Sequence, residues 1–396
     1  MQDLSAFFQP LTTAPYNLLE ADRPETLGGV ADVHTGSHIP DWYEADVVLL
    51  GWPFDEGAAD SPGAALGPDA IRERLYTLAL PGGDLKVADL GNFKARDSQE
   101  QAIESLAYVL EQLARAGKMA VILGGTQELA LAQYLAFEPL EMPVQAVAVD
   151  SRADLNFSRS GLANDNYAYY LFSHSPAYLR HYTLLGLQNY FLTDAERNLL
   201  KTLHFDFVRI AELRTDLRMA EPAFRMADFV TLDIGALRMS DAPGRAQGSP
   251  AGFTIEEACM LSRFAARGYK LQSFSVTEVN PELDHNGQTA AAAALIVWHF
   301  LEGYLTRIHD TPAADRSNLQ TFRVTLQGGH VKELTFYYSA TSERWWMEVR
   351  PMLGSKGNTF PPELVPCTEL DYLQASSGEL PERWIAWQQR LLPTRR

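Results

Sequence analysis

Cysteine is scarce: only Cys259 and Cys367 occur, in unrelated contexts. Neither a disulfide framework nor a cysteine-based zinc site is suggested, and a reducing compartment fits. The opening residues, MQDLSAFFQPLTT, lack a basic stretch followed by an apolar one, so no secretory leader is expected and the location read from the sequence is cytoplasmic. Positive charge is in deficit, with 33 Lys and Arg against 50 Asp and Glu, a net charge of −17 and a pI near 5.0. With no basic patch standing out, nucleic acid and anionic membrane surfaces are excluded as partners. No run of about 18 apolar residues offers a membrane span. Paired histidines are also missing, apart from His34 and His38, which lie in a glycine-rich loop and read as surface residues. Gly124-Gly125 precedes a helix, but without P-loop or Rossmann spacing it carries little weight as a phosphate cradle.

What is present is the composition of a globular protein, 46% hydrophobic and 21% charged over 396 residues, enough for one large domain and an appendage. Residues 1–45, with Pro10, Pro15, Pro24 and Pro40, read as irregular. From 46 to 312, apolar runs alternate with helical patterns. Strands are expected at Asp46–Leu50, Lys86–Asp89, Met119–Leu123, the run before Asp150, Tyr182–Leu187, Phe207–Ile210, Phe229–Leu232 and Leu271–Val276. Helices are expected from about Pro68, after Ser98, over Ile255–Arg267 and over Thr289–Thr306. This alternation predicts a three-layer α/β fold around a doubly wound, mostly parallel sheet of seven or eight strands. From about residue 313 the period becomes two. Thr321–Leu326, Val331–Tyr338 and Arg344–Arg350 predict a three-stranded antiparallel appendage with turns at Gln327-Gly328-Gly329 and Ser339–Glu343. Pro361, Pro362 and Pro366 then break the chain before a final helix over Leu380–Leu392. Trp345 and Trp346 point to opposite faces, so the appendage needs cover on both and is expected to pack on the main domain or a partner.

The chemistry gathers at strand ends. The run VQAVAV delivers Asp150, Arg152 and Asp154 (DSRAD); Asp233 ends a second strand, and Glu278 follows a third. Loops after parallel strands lie along one edge of the sheet, so these groups should converge.

In order, GWPFDEGAADSPGAALGPDAIR, LGGTQE, DSRAD, LDIGALRMSDAPG, GFTIEEA and TEVNPELD resemble the blocks of the ureohydrolase family of arginases, agmatinases and formimidoylglutamases, over roughly residues 46–305. The resemblance implies an arginase-like fold and a site for two manganese ions. Of the six ligand positions it implies, Asp150, Asp154 and Asp233 are retained, whereas Gln127, Arg152 and Gly235 replace two histidines and an aspartate. A guanidinium does not coordinate a metal, and glycine has no side-chain donor. The family's catalytic histidine after the second block has no counterpart in SGLANDNY. On this reading the protein has no catalytic residue, no metal and no cofactor of its own, and the six positions are vestigial.

Arg152, between two aspartates, is expected to stand in for the metals as their counter-charge. Removing it would then leave buried carboxylates unpaired, at about 3–5 kcal/mol. Arg238, Glu257 and Glu278 are candidate ligand-binding residues, although Glu257 fits a helix N-terminal acid equally well and Glu278, an acid and turn at a strand end, fits a structural role better. The expected function is ligand or protein binding by a non-catalytic family member, with a small guanidino or acidic molecule or another protein as partner, and homo-oligomerisation left open. Two rivals stand beside it: an active C–N hydrolase of formimidoylglutamase, agmatinase or arginase type with an altered site, and a structural subunit that assembles through the C-terminal β module.

Overall fold

A computed structural model of the chain describes residues 3–11, 25–58, 62–312, 316–326, 331–350 and 362–391. The strands of the main sheet are β1 (Phe8–Gln9), β2 (Asp32–Val33), β3 (Val47–Trp52), β4 (Val87–Phe93), β5 (Met119–Gly124), β6 (Val144–Val149), β7 (Leu179–Leu187), β8 (Asp206–Arg209), β9 (Phe229–Asp233) and β10 (Ser273–Thr277). They form one ten-stranded sheet in the order β1-β4-β3-β5-β10-β9-β6-β7-β8, with β2 also on β4. Only β1 runs antiparallel to its neighbour. The eight strands from β4 to β8 on that path are the ones expected from the alternation. The N-terminal segment is less irregular than its prolines implied, because Phe8–Gln9 and Asp32–Val33 extend the sheet.

The strands are apolar on both faces because both are covered. Along β3, Val47 and Leu49 pack into one core and Val48 and Leu50 into another. The first core is closed by the helices Gly67–Leu75, Ile255–Ala266 and Gln288–Leu305, the second by Gln99–Arg115. Each fully buried Val or Leu contributes on the order of 1.5–3 kcal/mol. The helix after Ser98 starts where its capping spacing placed it, with the Ser98 hydroxyl accepting from Gln101 N at 3.2 Å.

The appendage has four strands rather than three: β11 (Leu319–Thr325), β12 (Glu333–Ser339), β13 (Arg344–Val349) and β14 (Glu363–Cys367), antiparallel in that order. Pro366 had argued against a strand there, but β14 is an edge, where proline is tolerated. The expected turn at Gln327-Gly328-Gly329, along with Pro361, lies outside the described residues. Both tryptophans are covered, as their alternation required. Trp345 stacks on Tyr372 at 4.9 Å, and Trp346 lies under the Arg225 guanidinium of the main domain at 5.0 Å. The helices Glu369–Ser376 and Glu382–Leu391 complete the module. No helix among the described residues is long and apolar enough to cross a membrane.

Candidate functional site

β5, β10, β9 and β6 are consecutive neighbours in the sheet. Their carboxyl ends carry Gln127, Glu278, Asp233 and Asp150, so the topology alone brings the four groups together. Thr277 pairs with Asp233, and Val149 with Leu232, which sets Asp150 one residue beyond that register. Asp154 follows in the loop after β6. A cavity of about 50 Å³ opens here, lined among others by Gln127, Arg152, Asp154, Asp233, Arg245 and Glu278.

Two of the carboxylates sit on left-handed backbone: Asp154 with φ 50° and Glu278 with φ 67°. For a glutamate this conformation costs about 1–3 kcal/mol, a strain that persists where surrounding structure over-determines it. Glu278 Oε1 accepts from Gln127 N at 2.9 Å and from Asn164 Nδ2 at 3.2 Å. Asp150 Oδ1 accepts from Arg152 N at 2.9 Å, and Asp233 Oδ1 from Gly235 N at 2.6 Å. The second oxygens, Asp150 Oδ2 and Asp154 Oδ2, are buried with no donor among the described residues.

The electrostatic consequence is a set of carboxyl groups with raised pKa values. Burial, then the charge of Asp233, pushes Asp150 up to about 7. Burial and the adjoining Asp150 hold Asp154 well above the usual carboxylate range. Burial and the charges of Asp233 and Glu128 do the same for Glu278. A carboxyl poised near neutrality, as Asp150 is, can donate a hydrogen bond or carry a proton, the chemistry of general acid–base groups.

Arg152 is not the counter-charge. Its guanidinium lies 3.8 Å over the Phe191 ring, its Nε is buried without a partner, and among the described residues it forms no ion pair with Asp150, Asp154 or Asp233. The side chain lines the cavity but spends its charge on the Phe191 ring. The cation inside the site is Arg245, 8% exposed, with Nη1 3.4 Å from Asp233 Oδ1. A cation–π contact of this kind contributes about 0.5–2 kcal/mol. Arg152→Ala is therefore expected to cost about 1 kcal/mol, with little change between pH 5 and pH 8 by thermal melting. A loss of 3 kcal/mol or more at neutral pH would restore Arg152 as the counter-charge.

The remaining candidates separate. Glu278 is in the cavity. Glu257 closes a capping box, its carboxylate accepting from Thr254 N at 2.8 Å. Arg238 pairs with Asp241 at 3.0 Å. Neither lines the cavity. His34 Nδ1 meets the Leu90 carbonyl, and His38 pairs with Asp32. Three further participants escaped sequence reasoning. Tyr167 takes a hydrogen bond from Gln127 Nε2 at 3.2 Å and shares another with Tyr182. Glu128 is buried beside Thr126, whose hydroxyl reaches it at 2.6 Å, and burial raises its pKa. Arg245 is the third, and its one sequence signal is a basic residue directly after Pro243-Gly244.

These groups do not fit two manganese ions. Gln127 directs its amide nitrogen to Tyr167, Arg152 stacks on a ring, and the space a side chain at 235 would enter is filled by Arg245. Among the described residues no group of three or more His, Cys, Asp or Glu side chains is placed to hold a metal ion.

Residues 45–302 match the model of the Arginase family. The chain is 28% identical to the formimidoylglutamase of Salmonella newport over 278 residues, 65% of this chain and 86% of that one. It is 29% identical to the formimidoylglutamase of Corynebacterium efficiens, over 67% of this chain and 87% of that one. Among solved structures, the Trypanosoma cruzi formiminoglutamase with manganese superposes with a TM-score of 0.63 at 22% identity, covering 67% of this chain and 96% of that one.

Proposed function

The chain belongs to the arginase family, and we propose that it is a metal-independent, non-hydrolytic member that binds a small polar ligand at its acid-lined cavity. One observation carries the reading. Each of the three substituted positions is committed to another contact: Gln127 to Tyr167, Arg152 to Phe191, and the space beside Gly235 to Arg245. The retained carboxylates then serve as hydrogen-bonding groups, neutral or ionised by environment. A ligand for them is small and carries both donors and acceptors, as a guanidino compound or an amino acid does. The two cysteines are free and buried, in keeping with a cytoplasmic protein.

A second reading has its own support. Asp150, at about 7, is suited to general acid–base work, so C–N hydrolysis of a linear amidine without metal is the rival.

One experiment separates the two. The purified full chain is reconstituted with manganese, its metal content is measured, and release of urea, formamide and ammonia from arginine, agmatine and formimidoylglutamate is followed. Far less than one manganese per chain and no release above buffer are expected. About two manganese ions per chain with turnover would overturn the proposal. Turnover without metal would establish the rival.

A further inference from the structure

We propose that the Arg245 guanidinium is a built-in cation that occupies the acidic centre and shuts divalent metal ions out of it. Removing the side chain would then open a divalent-cation site on Asp150, Asp154 and Asp233. The inference rests on the metal-independent reading above and names the device that enforces it.

The first argument is steric. A Cβ added at Gly235 would lie 0.9 Å from Arg245 Nη1 and 1.7 Å from its Cζ. Any side chain at 235 would therefore force the guanidinium to move, and the glycine leaves the space the arginine occupies. The loop holds Arg245 inward. Gly244 N donates to Thr289 Oγ1 at 2.6 Å, and Gly244 O accepts from Asn280 N at 2.9 Å. A Cβ at Gly244 would press on Asp284 at 2.5 Å.

The second argument is about charge. Asp150, Asp154, Asp233 and Glu278 share one interior, and Arg152 stacks on Phe191 without pairing with them among the described residues. Arg245 is the cation that reaches them, through Asp233. One positive charge leaves the arrangement under-compensated, and the orphaned Asp150 Oδ2 and Asp154 Oδ2 mark where compensation is missing. These are hard oxygen donors of the kind that take manganese or magnesium. The guanidinium, against Asp233 and filling the space at 235, takes the place an ion would need beside them.

The test titrates manganese into the full-length wild type, Arg245→Ala and Arg245→Ala/Asp233→Asn, followed by calorimetry, electron paramagnetic resonance and melting temperature. The wild type should show no saturable binding. Arg245→Ala should bind about one ion and melt higher in its presence. Adding Asp233→Asn should weaken that binding about tenfold or more. A variant Arg245→Ala that binds no better than wild type, or binds regardless of Asp233, overturns the proposal and leaves the metal-independent reading standing. Saturable binding with turnover by the wild type overturns both. Should Arg245→Ala not fold, Arg245→Gln replaces it in the titration. The steric half is read separately: Gly235→Ala should be strongly destabilising alone and much less so combined with Arg245→Gln. Additive effects in that cycle would overturn the exclusion.

Discussion

Asp154→Asn is expected to stabilise the protein at pH 8 and to leave it nearly unchanged at pH 5. Asp154 is buried, its Oδ2 has no donor, and burial together with the adjoining Asp150 holds its pKa well above the ordinary range. Asp150 is pushed up to about 7 by burial and Asp233. A carboxyl whose folded-state pKa exceeds its unfolded value binds more protons folded than unfolded. Its contribution is full below the unfolded pKa, near 4, and is lost as pH rises through the folded value. The wild type should therefore lose stability between about pH 5 and pH 8 from this cluster. Asparagine carries no charge to desolvate, can hydrogen-bond Asp150 through its amide, and is among the residues most tolerant of the left-handed φ of 50° found here. The gain at pH 8 is on the order of 1–3 kcal/mol after relaxation, and groups elsewhere titrate alike in both proteins. Melting curves of the two at pH 5, 6.5 and 8 supply the check. An equal or lower melting temperature for Asp154→Asn at pH 8 would mean that the acidic centre is not under electrostatic stress. A stabilising substitution inside a site is also what a functional cluster predicts, since stability has been given up there to hold the charges together.

How much of this was legible in the sequence differs by element. The strands of the parallel sheet announce themselves because burial on both faces demands unbroken apolar runs such as VVLLGW, MAVILG and VQAVAV. The convergence of Asp150, Asp233 and Glu278 follows from strand ends alone. The direction of Arg152 did not, because adjacency to two aspartates in a loop fixes no side-chain direction, and the turn after β6 aims it at Phe191. Arg245 was invisible for a related reason. It reaches Asp233 from a loop twelve residues downstream, a distance at which no periodicity operates, and its partner is the absence of a side chain at Gly235. Glu257 fits a ligand contact and a helix start equally well in sequence, and its reciprocal hydrogen bonds with Thr254 account for it as a cap. Glu128 hid in a block whose resemblance drew attention to Gln127 instead.

The largest loss of stability is expected from Arg225→Met, which should detach the C-terminal sheet from the α/β domain. Arg225 is 1% exposed on the helix Glu221–Met226 and is the point where the two parts are riveted. Its Nη1 donates to the Trp345 carbonyl at 2.9 Å, and its Nη2 to the Cys367 carbonyl at 2.8 Å. Its Nε lies 2.8 Å from Glu221 Oε2, and its guanidinium covers the Trp346 ring. Glu221 in turn takes Arg344 from β13 at 3.0 Å, so one carboxylate is shared by an arginine from each side. Methionine fills much of the volume but takes one donor from each of two buried carbonyls and leaves Glu221 with half its compensation. Breaking a buried charge network of this kind costs about 3–5 kcal/mol in all. Arg225→Lys should recover part of this, because one ammonium cannot span both carbonyls. The module has a core of its own around Phe336, Trp345, Met347 and Val365, but one of only four strands and two short helices, so a detached module should unfold rather than persist. Urea unfolding followed by tryptophan fluorescence, to which Trp345 and Trp346 contribute, should show an early transition in Arg225→Met, and limited proteolysis should cut first within the C-terminal sheet. If the variant unfolds in a single transition within about 1 kcal/mol of wild type, the sheet is held by other contacts and the rivet is dispensable.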